Sequence, residues 1–178
     1  MSHLEDLLCE YYEWQGYVVR RNIKVGPLSH GGHEGELDII AYNPQNRDLL
    51  HLEPSIDGHS WATRTERFER KFRAGRKYVR EVFPWVDADV ELDQIAILVT
   101  SGGGTRTELA GGKLRTIDEI VEEICQKIED EGLMCSRAIP EQFRLLRTIQ
   151  LARCGYYNSP KTRDRNTDPR LPEARETR

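Results

Sequence analysis

The chain has 178 residues, 38% of them apolar and 31% charged, which suits one modest core under a polar surface. Lys and Arg number 26 against 30 Asp and Glu, a net charge of −4, which argues against a surface coated for indiscriminate nucleic-acid binding. No run of about 18 apolar residues exists, so no transmembrane helix is expected. The acidic start His3-Leu4-Glu5-Asp6 lacks the basic-then-apolar pattern of a signal peptide. A cytoplasmic protein with no membrane partner is the expectation. Cys9, Cys125, Cys135 and Cys154 are scattered without a CxxC pair, which fits a reducing compartment and argues against a structural zinc site.

Leu4, Leu7, Leu8 and Tyr11 fall at helical spacing and predict a helix over 4–15, stopped by Gly16. The β-rich stretch Tyr17 to Val25 follows, and Gly26 to Gly35 reads as a loop. Glu36 to Tyr42 and Leu49 to Glu53 read as a hairpin around a turn-forming Asn43-Pro44-Gln45-Asn46-Arg47-Asp48, with Pro54 expected to end the pairing. Trp61 to Phe83 predicts a long helix closed by Pro84, with apolar positions Trp61, Phe68, Phe72, Gly75, Val79 and Val82. The run Gln94 to Thr100 reads as a strand buried on both faces, and Ser101 to Gly112 as a glycine-rich loop. Thr116 with Glu119 forms a capping box for a helix ending at Gly132, and Pro140 to Arg153 predicts a last amphipathic helix. The order predicts an α/β fold, helices around a mixed central sheet, in one domain over 1–157. Residues 158–178, with three prolines and many charges, read as a disordered charged tail.

Charge is unevenly distributed. Between Arg64 and Arg80 eight Lys/Arg face two Glu, a local +6, so the rest of the chain carries −4 − 6 = −10. On the hairpin, side-chain alternation puts Glu36, Asp38, Ile40 and Tyr42 on one face and Leu37, Ile39 and Ala41 on the other. On the returning strand His51, Glu53 and Ser55 share a face, opposite Leu50 and Leu52. Asp38 and Glu53 can then meet across the strands. Adjacent carboxylates repel unless a cation sits between them, and Mg²⁺ is bound in this way by one or two carboxylates plus waters and phosphates. The competing reading is two acids facing solvent.

Glu5 on a first helix, then Gly16-Tyr17-Val18-Val19, Gly35-Glu36-Leu37-Asp38, Glu53 and a basic helix together resemble the PD-(D/E)xK nuclease superfamily. The likeness runs from Leu4 to Thr100. It implies a restriction endonuclease-like α-β-β-β-α-β core and a metal-dependent nuclease hydrolysing phosphodiester bonds, with DNA the commoner substrate of such folds. It places Asp38 at the family's Asp, Glu53 at the first acid of its (D/E)xK element, and Glu5 where many members carry a helix-borne Glu. Mg²⁺ or Mn²⁺ would then be held by Asp38, Glu53 and the backbone carbonyl of Pro54. A homodimer is compatible with such a protein.

The family's lysine should stand two residues after Glu53, where this chain has Ser55. Either the centre has decayed to a catalytically inactive nucleic-acid-binding protein, or the cation comes from elsewhere. With Phe68 set to zero on a helical wheel, Lys71 lies at about −60°, on the border of the apolar stripe. It is the candidate for a migrated catalytic lysine, against the plainer reading of a border residue that snorkels. Arg64 and Arg67 lie on the same flank, and Arg70, Arg73, Lys77 and Arg80 face outward as candidate phosphate contacts. Ser55 and Asp57 are candidate caps and Ser60 a candidate N-cap, with Asp57 a remote metal-ligand candidate. His30, His33, His51 and His59 lack a zinc-site spacing and read as loop histidines. The chain has no GxxxxGK[ST] phosphate loop, and Gly112-Lys113 is followed by Leu114.

Overall fold

The computed structural model describes residues 2–102 and 106–158. The tail predicted over 158–178 therefore lies, except for Asn158, outside the described residues. Ten elements follow one another among them: α1 (His3–Trp14), β1 (Val18–Pro27), β2 (His33–Asn43), β3 (Asp48–Ser55), α2 (Trp61–Val82), β4 (Leu92–Leu98), β5 (Glu108–Leu109), β6 (Gly112–Thr116), α3 (Ile117–Glu131) and α4 (Arg144–Arg153). The strands form one mixed sheet in the order β1-β2-β3-β4-β6-β5. β1, β2 and β3 are antiparallel neighbours, α2 carries the chain over so that β4 lies parallel to β3, and β6 lies parallel to β4. The expected α/β architecture, with helices after the sheet, is the one observed.

Alternation decides what each face buries. Ile39, Ala41, Leu50, Leu52, Ile95 and Ile97 point to one side, where Leu8 and Tyr12 of α1, Ile120, Ile124 and Ile128 of α3 and Leu146 of α4 pack on them. On the other side, among the described residues, α2 lies alone. Beneath it are two separate apolar groups, one around Leu37, Ile40, Tyr42, Tyr78 and Phe83 and one around Phe68, Phe72, Ala96, Leu98 and Leu114. The gap between them is polar: His51, Glu53 and Gln94 are buried there.

Several elements differ from the sequence reading, each for a local reason. The loop expected from Gly26 to Gly35 is shorter, because β1 runs on to Pro27 and β2 starts at His33, pairing Val25 with Gly35 and Pro27 with His33. Gly35 is where α2 comes close: a Cβ there would sit 3.2 Å from Ala74. Leu37 does not share a face with Ile39. It packs under α2 with Ile40, so alternation is interrupted between Leu37 and Ile39. At this point Asn22, on the neighbouring strand, takes a left-handed φ of 52°, a conformation Asn tolerates better than most residues. Pro54 does not end its strand. Pairing of β2 with β3 stops at Ile39 and Leu52, while β3 continues beside β4 to Ser55, so the missing N–H of Pro54 faces a side with no partner strand among the described residues. The glycine-rich segment 101–112 contains β5, and β6 follows at once; both are too short and polar to have a readable period. The last helix begins at Arg144 instead of Pro140.

Candidate functional site

Asp38 leaves β2 at the position where its pairing with β3 ends, so its backbone N–H is free to turn to the Glu53 side chain, donating to Oε1 at 3.3 Å. Glu53 points from β3 toward α2 and is fully buried. Lys71, one turn before Gly75 on α2, reaches down between the two acids. Its Nζ donates to Asp38 Oδ2 at 2.7 Å and pairs with Glu53 Oε2. Three elements therefore bring Asp38, Glu53 and Lys71 to one point, with the lysine side chain itself only 19% exposed. The stripe-border position on the helical wheel is the one that lets a lysine stem lie along the core edge and place its ammonium over the sheet.

The two carboxylates are not equivalent. Burial works against the Glu53 charge, but the hydrogen bond from His51, the Lys71 ammonium and the contact with Asp38 outweigh it and hold the carboxyl down at about 2. Asp38 is pushed up to about 7, first by burial and then by the hydrogen bond and charge of Glu53, with Lys71 pulling the other way. Glu53 is the fixed anion of the pair and Asp38 the member that takes up a proton. The two acids raise the Lys71 ammonium against the lowering effect of burial, so it stays charged.

His51, expected among loop histidines, lies instead on β3, fully buried, with Nε2 2.7 Å from Glu53 Oε1. Its Nδ1 lies 3.0 Å from the Gln94 amide nitrogen, which also donates to the Phe72 carbonyl at 2.9 Å. The Gln94 amide oxygen accepts from Arg76 at 2.5 Å. The period of two in His51-Leu52-Glu53 places the histidine on the same face as the acid. Gln94 is 43 residues away in sequence and gives no comparable signal.

Beyond the end of β3 a cavity of about 270 Å³ is lined by Ser2, Leu4, Glu5, Pro54, Ser55, Ile56, Asp57 and Arg67. Glu5 is thus beside the residues that flank Glu53, with its carboxylate accepting from Ser2 Oγ at 2.9 Å instead of touching the other acids. Ser55 donates to Asp57 Oδ2 at 2.5 Å. Asp57 also accepts from Arg67 at 2.6 Å and from Arg64, so it is the counter-ion of two α2 arginines. Its carboxyl lies below its ordinary value: burial opposes the charge, but the Ser55, His59 and arginine contacts prevail. Ser60 is the N-cap of α2, as expected.

The basic residues of α2 divide. Arg64, expected as a nucleic-acid contact, is buried and committed to the Asp57 carbonyl at 2.6 Å, because its position falls on the inner flank of the helix. Arg67 borders the cavity, and Arg70 and Arg73 are exposed. Lys77 is exposed and pairs with Glu34 at 2.6 Å. Arg80 does not face outward: it donates to the carbonyls of Val86, Asp87, Ala88 and Val90, holding the turn between α2 and β4.

The donor set is one of hard oxygens. Asp38 Oδ2 and Glu53 Oε2 both touch one ammonium, so they lie within about 5 Å of each other, the sum of two short hydrogen bonds. Two hard oxygens converging on one cation are donors of the kind that Mg²⁺ or Mn²⁺ takes together with water, main-chain and phosphate oxygens. Among the described residues no cluster of three or more His, Cys, Asp or Glu side chains with metal-binding geometry is formed. No protein-family model matches the chain, and no curated protein matches it. Among the described residues no helix is long and apolar enough to cross a membrane.

Proposed function

We propose that this protein is a metal-dependent nuclease of the PD-(D/E)xK kind, hydrolysing phosphodiester bonds in nucleic acid, with DNA the first substrate to test. The observation that carries this reading is the meeting of Asp38, Glu53 and Lys71 at one point. The element order α1-β1-β2-β3-α2-β4 supports it, with Asp38 on β2 and Glu53 on the neighbouring β3. Ser55 brings no cation, and Lys71 from the following helix supplies one.

Asp38 and Glu53 are the residues that would hold Mg²⁺ or Mn²⁺, with the neighbouring Pro54 carbonyl as a third donor. A bound divalent cation supplies charge neutralisation at the scissile phosphate and acidifies an attacking water. Glu53 keeps its charge through buried donors on Oε1, which leaves Oε2 directed at the reacting centre. Asp38 would have to be in its carboxylate form to serve as a ligand. Lys71 carries a permanent positive charge into a half-buried site, where it is placed to stabilise the charge that grows on the phosphate oxygens; a contact of this kind contributes on the order of 3 kcal/mol. Arg67 borders the cavity, and Arg70 and Arg73 lie exposed on the same helix, placed to hold neighbouring phosphates of the strand.

Plasmid nicking in Mg²⁺ and Mn²⁺ tests the proposal. Wild type is expected to cut, D38A and E53Q to lose cutting, and K71M to fall about 10²-fold while still binding Mn²⁺. Binding of DNA without cutting at any metal concentration would mark a non-cutting nucleic-acid binder on the same fold.

A further inference from the structure

The two apolar clusters under α2 are parted by a continuous polar chain. It begins at Glu53 Oε1, passes through His51 Nε2 and Nδ1, crosses the Gln94 amide and ends at Arg76. His51 and Glu53 have no exposed surface and Gln94 is 6% exposed. A buried polar group costs free energy unless its partners are arranged, and here every one has them.

The direction of each hydrogen bond in the chain is fixed. Arg76 can only donate, so the Gln94 oxygen faces it. The Phe72 carbonyl can only accept, so the Gln94 nitrogen faces that side and, with its second hydrogen, His51 Nδ1. Nδ1 must then accept, the imidazole proton sits on Nε2, and Nε2–H donates to Glu53 Oε1. With the Asp38 N–H as second donor, Oε1 is saturated and Oε2 alone faces Lys71.

Gly75 makes room for this. A Cβ at that position would collide with His51 Nδ1 and sit 2.9 Å from Gln94 Nε2. The glycine gap in the apolar stripe of α2 lies directly over the chain.

We propose that His51, Gln94 and Arg76 are positioning residues that fix the imidazole tautomer and thereby aim a single oxygen of Glu53 at the catalytic centre. The proposal rests on the nuclease reading for what is aimed at, but the chain itself can be tested apart from it. Partners of this kind behind a metal-binding carboxylate typically alter metal affinity about 10–100-fold.

The experiment combines two measurements on the whole protein. Ring ¹⁵N shifts of His51 report the tautomer in wild type, Q94L and G75A. Mn²⁺ affinity by electron paramagnetic resonance is measured in wild type, H51L and H51Q, with near-ultraviolet circular dichroism verifying the fold. Wild type is expected to have the proton on Nε2 alone, and both Q94L and G75A to lose that single form. H51L is expected to weaken Mn²⁺ binding about tenfold, and H51Q, whose amide can donate in place of Nε2–H, to recover most of it. A wild-type proton on Nδ1, an unchanged tautomer in Q94L, or a folded H51L with wild-type Mn²⁺ affinity would each overturn the proposal. Wild type that binds no Mn²⁺ would overturn the nuclease reading instead, and the nitrogen shifts would then decide on the chain alone.

Discussion

Glu53 has no surface in contact with water and is nevertheless an anion, which requires that donors replace every lost water contact. His51, the Asp38 N–H and Lys71 do so; a glutamine keeps an oxygen for the first two but turns its amide NH₂ toward Lys71 and strands that buried ammonium. E53Q is expected to destabilise the fold by about 3 kcal/mol, read as a lowered urea midpoint. Asp38 behaves oppositely. Its folded value of about 7 lies above the ordinary 3.8, so between those limits the folded state holds a proton that the unfolded chain has lost. Stability from this group therefore falls as pH rises through that window. An asparagine at this position has no charge to bury, so D38N is expected to melt a few degrees above wild type at pH 8, with the difference shrinking as pH falls and gone below about pH 3.8. Equal melting at pH 8 would mean that Lys71 alone compensates the charge. Glu53, held near 2, contributes stability that is present above about 4.5 and lost as the solution is acidified below it. At this scale the acids and Lys71 were legible, because strand alternation and the helical wheel each fix a direction from sequence. The partners behind Glu53 were not, because Gln94 and Arg76 meet His51 only through tertiary packing.

Elements end where their free backbone groups find partners, and one of those partners comes from far along the chain. The N-terminus of α4 has no side-chain cap of its own; Glu10 of α1 accepts from the N–H groups of Leu145 at 2.8 Å and Leu146 at 3.2 Å. E10A is expected to cost about 1–2 kcal/mol, measured by chemical denaturation, with E10Q intermediate because an amide oxygen still accepts. Arg80 plays a similar part after α2, serving four carbonyls of the turn into β4. R80A is expected to speed amide exchange selectively at residues 86–90, and unchanged exchange there would assign the turn's order to Val86 and Val90 packing alone. The capping box at Thr116 and the N-cap at Ser60 were readable because they are local patterns. The cap from Glu10 and the strands β5 and β6 were not, since a remote carboxylate and a two-residue strand leave no periodic trace.

The molecule carries its layers unequally, with α1, α3 and α4 on one face of the sheet and α2 on the other. Helix α2 holds the basic charge, but ion pairs commit Arg64 and Arg67 to Asp57 and Lys77 to Glu34, leaving Arg70 and Arg73 exposed as the candidate phosphate contacts of the proposed function. DNA affinity is therefore expected to fall with salt at a slope of roughly −2, since each neutralised phosphate contributes about −0.9. Replacing Arg70 or Arg73 by Ala should reduce the slope by about one, whereas Arg64→Ala should affect stability more than the slope. The charge total of −4 hides the basic helix, which the local run of Lys and Arg makes visible. The Glu10 contact also bears on biosynthesis. The carboxylate and the amide it serves are separated by 135 positions, so a nascent chain still threaded in the ribosome cannot close that layer until nearly all of the described polypeptide has emerged. Until then the apolar side of the first helix waits without its last neighbour, and the growing chain depends on either speed or a chaperone to keep it from sticking elsewhere.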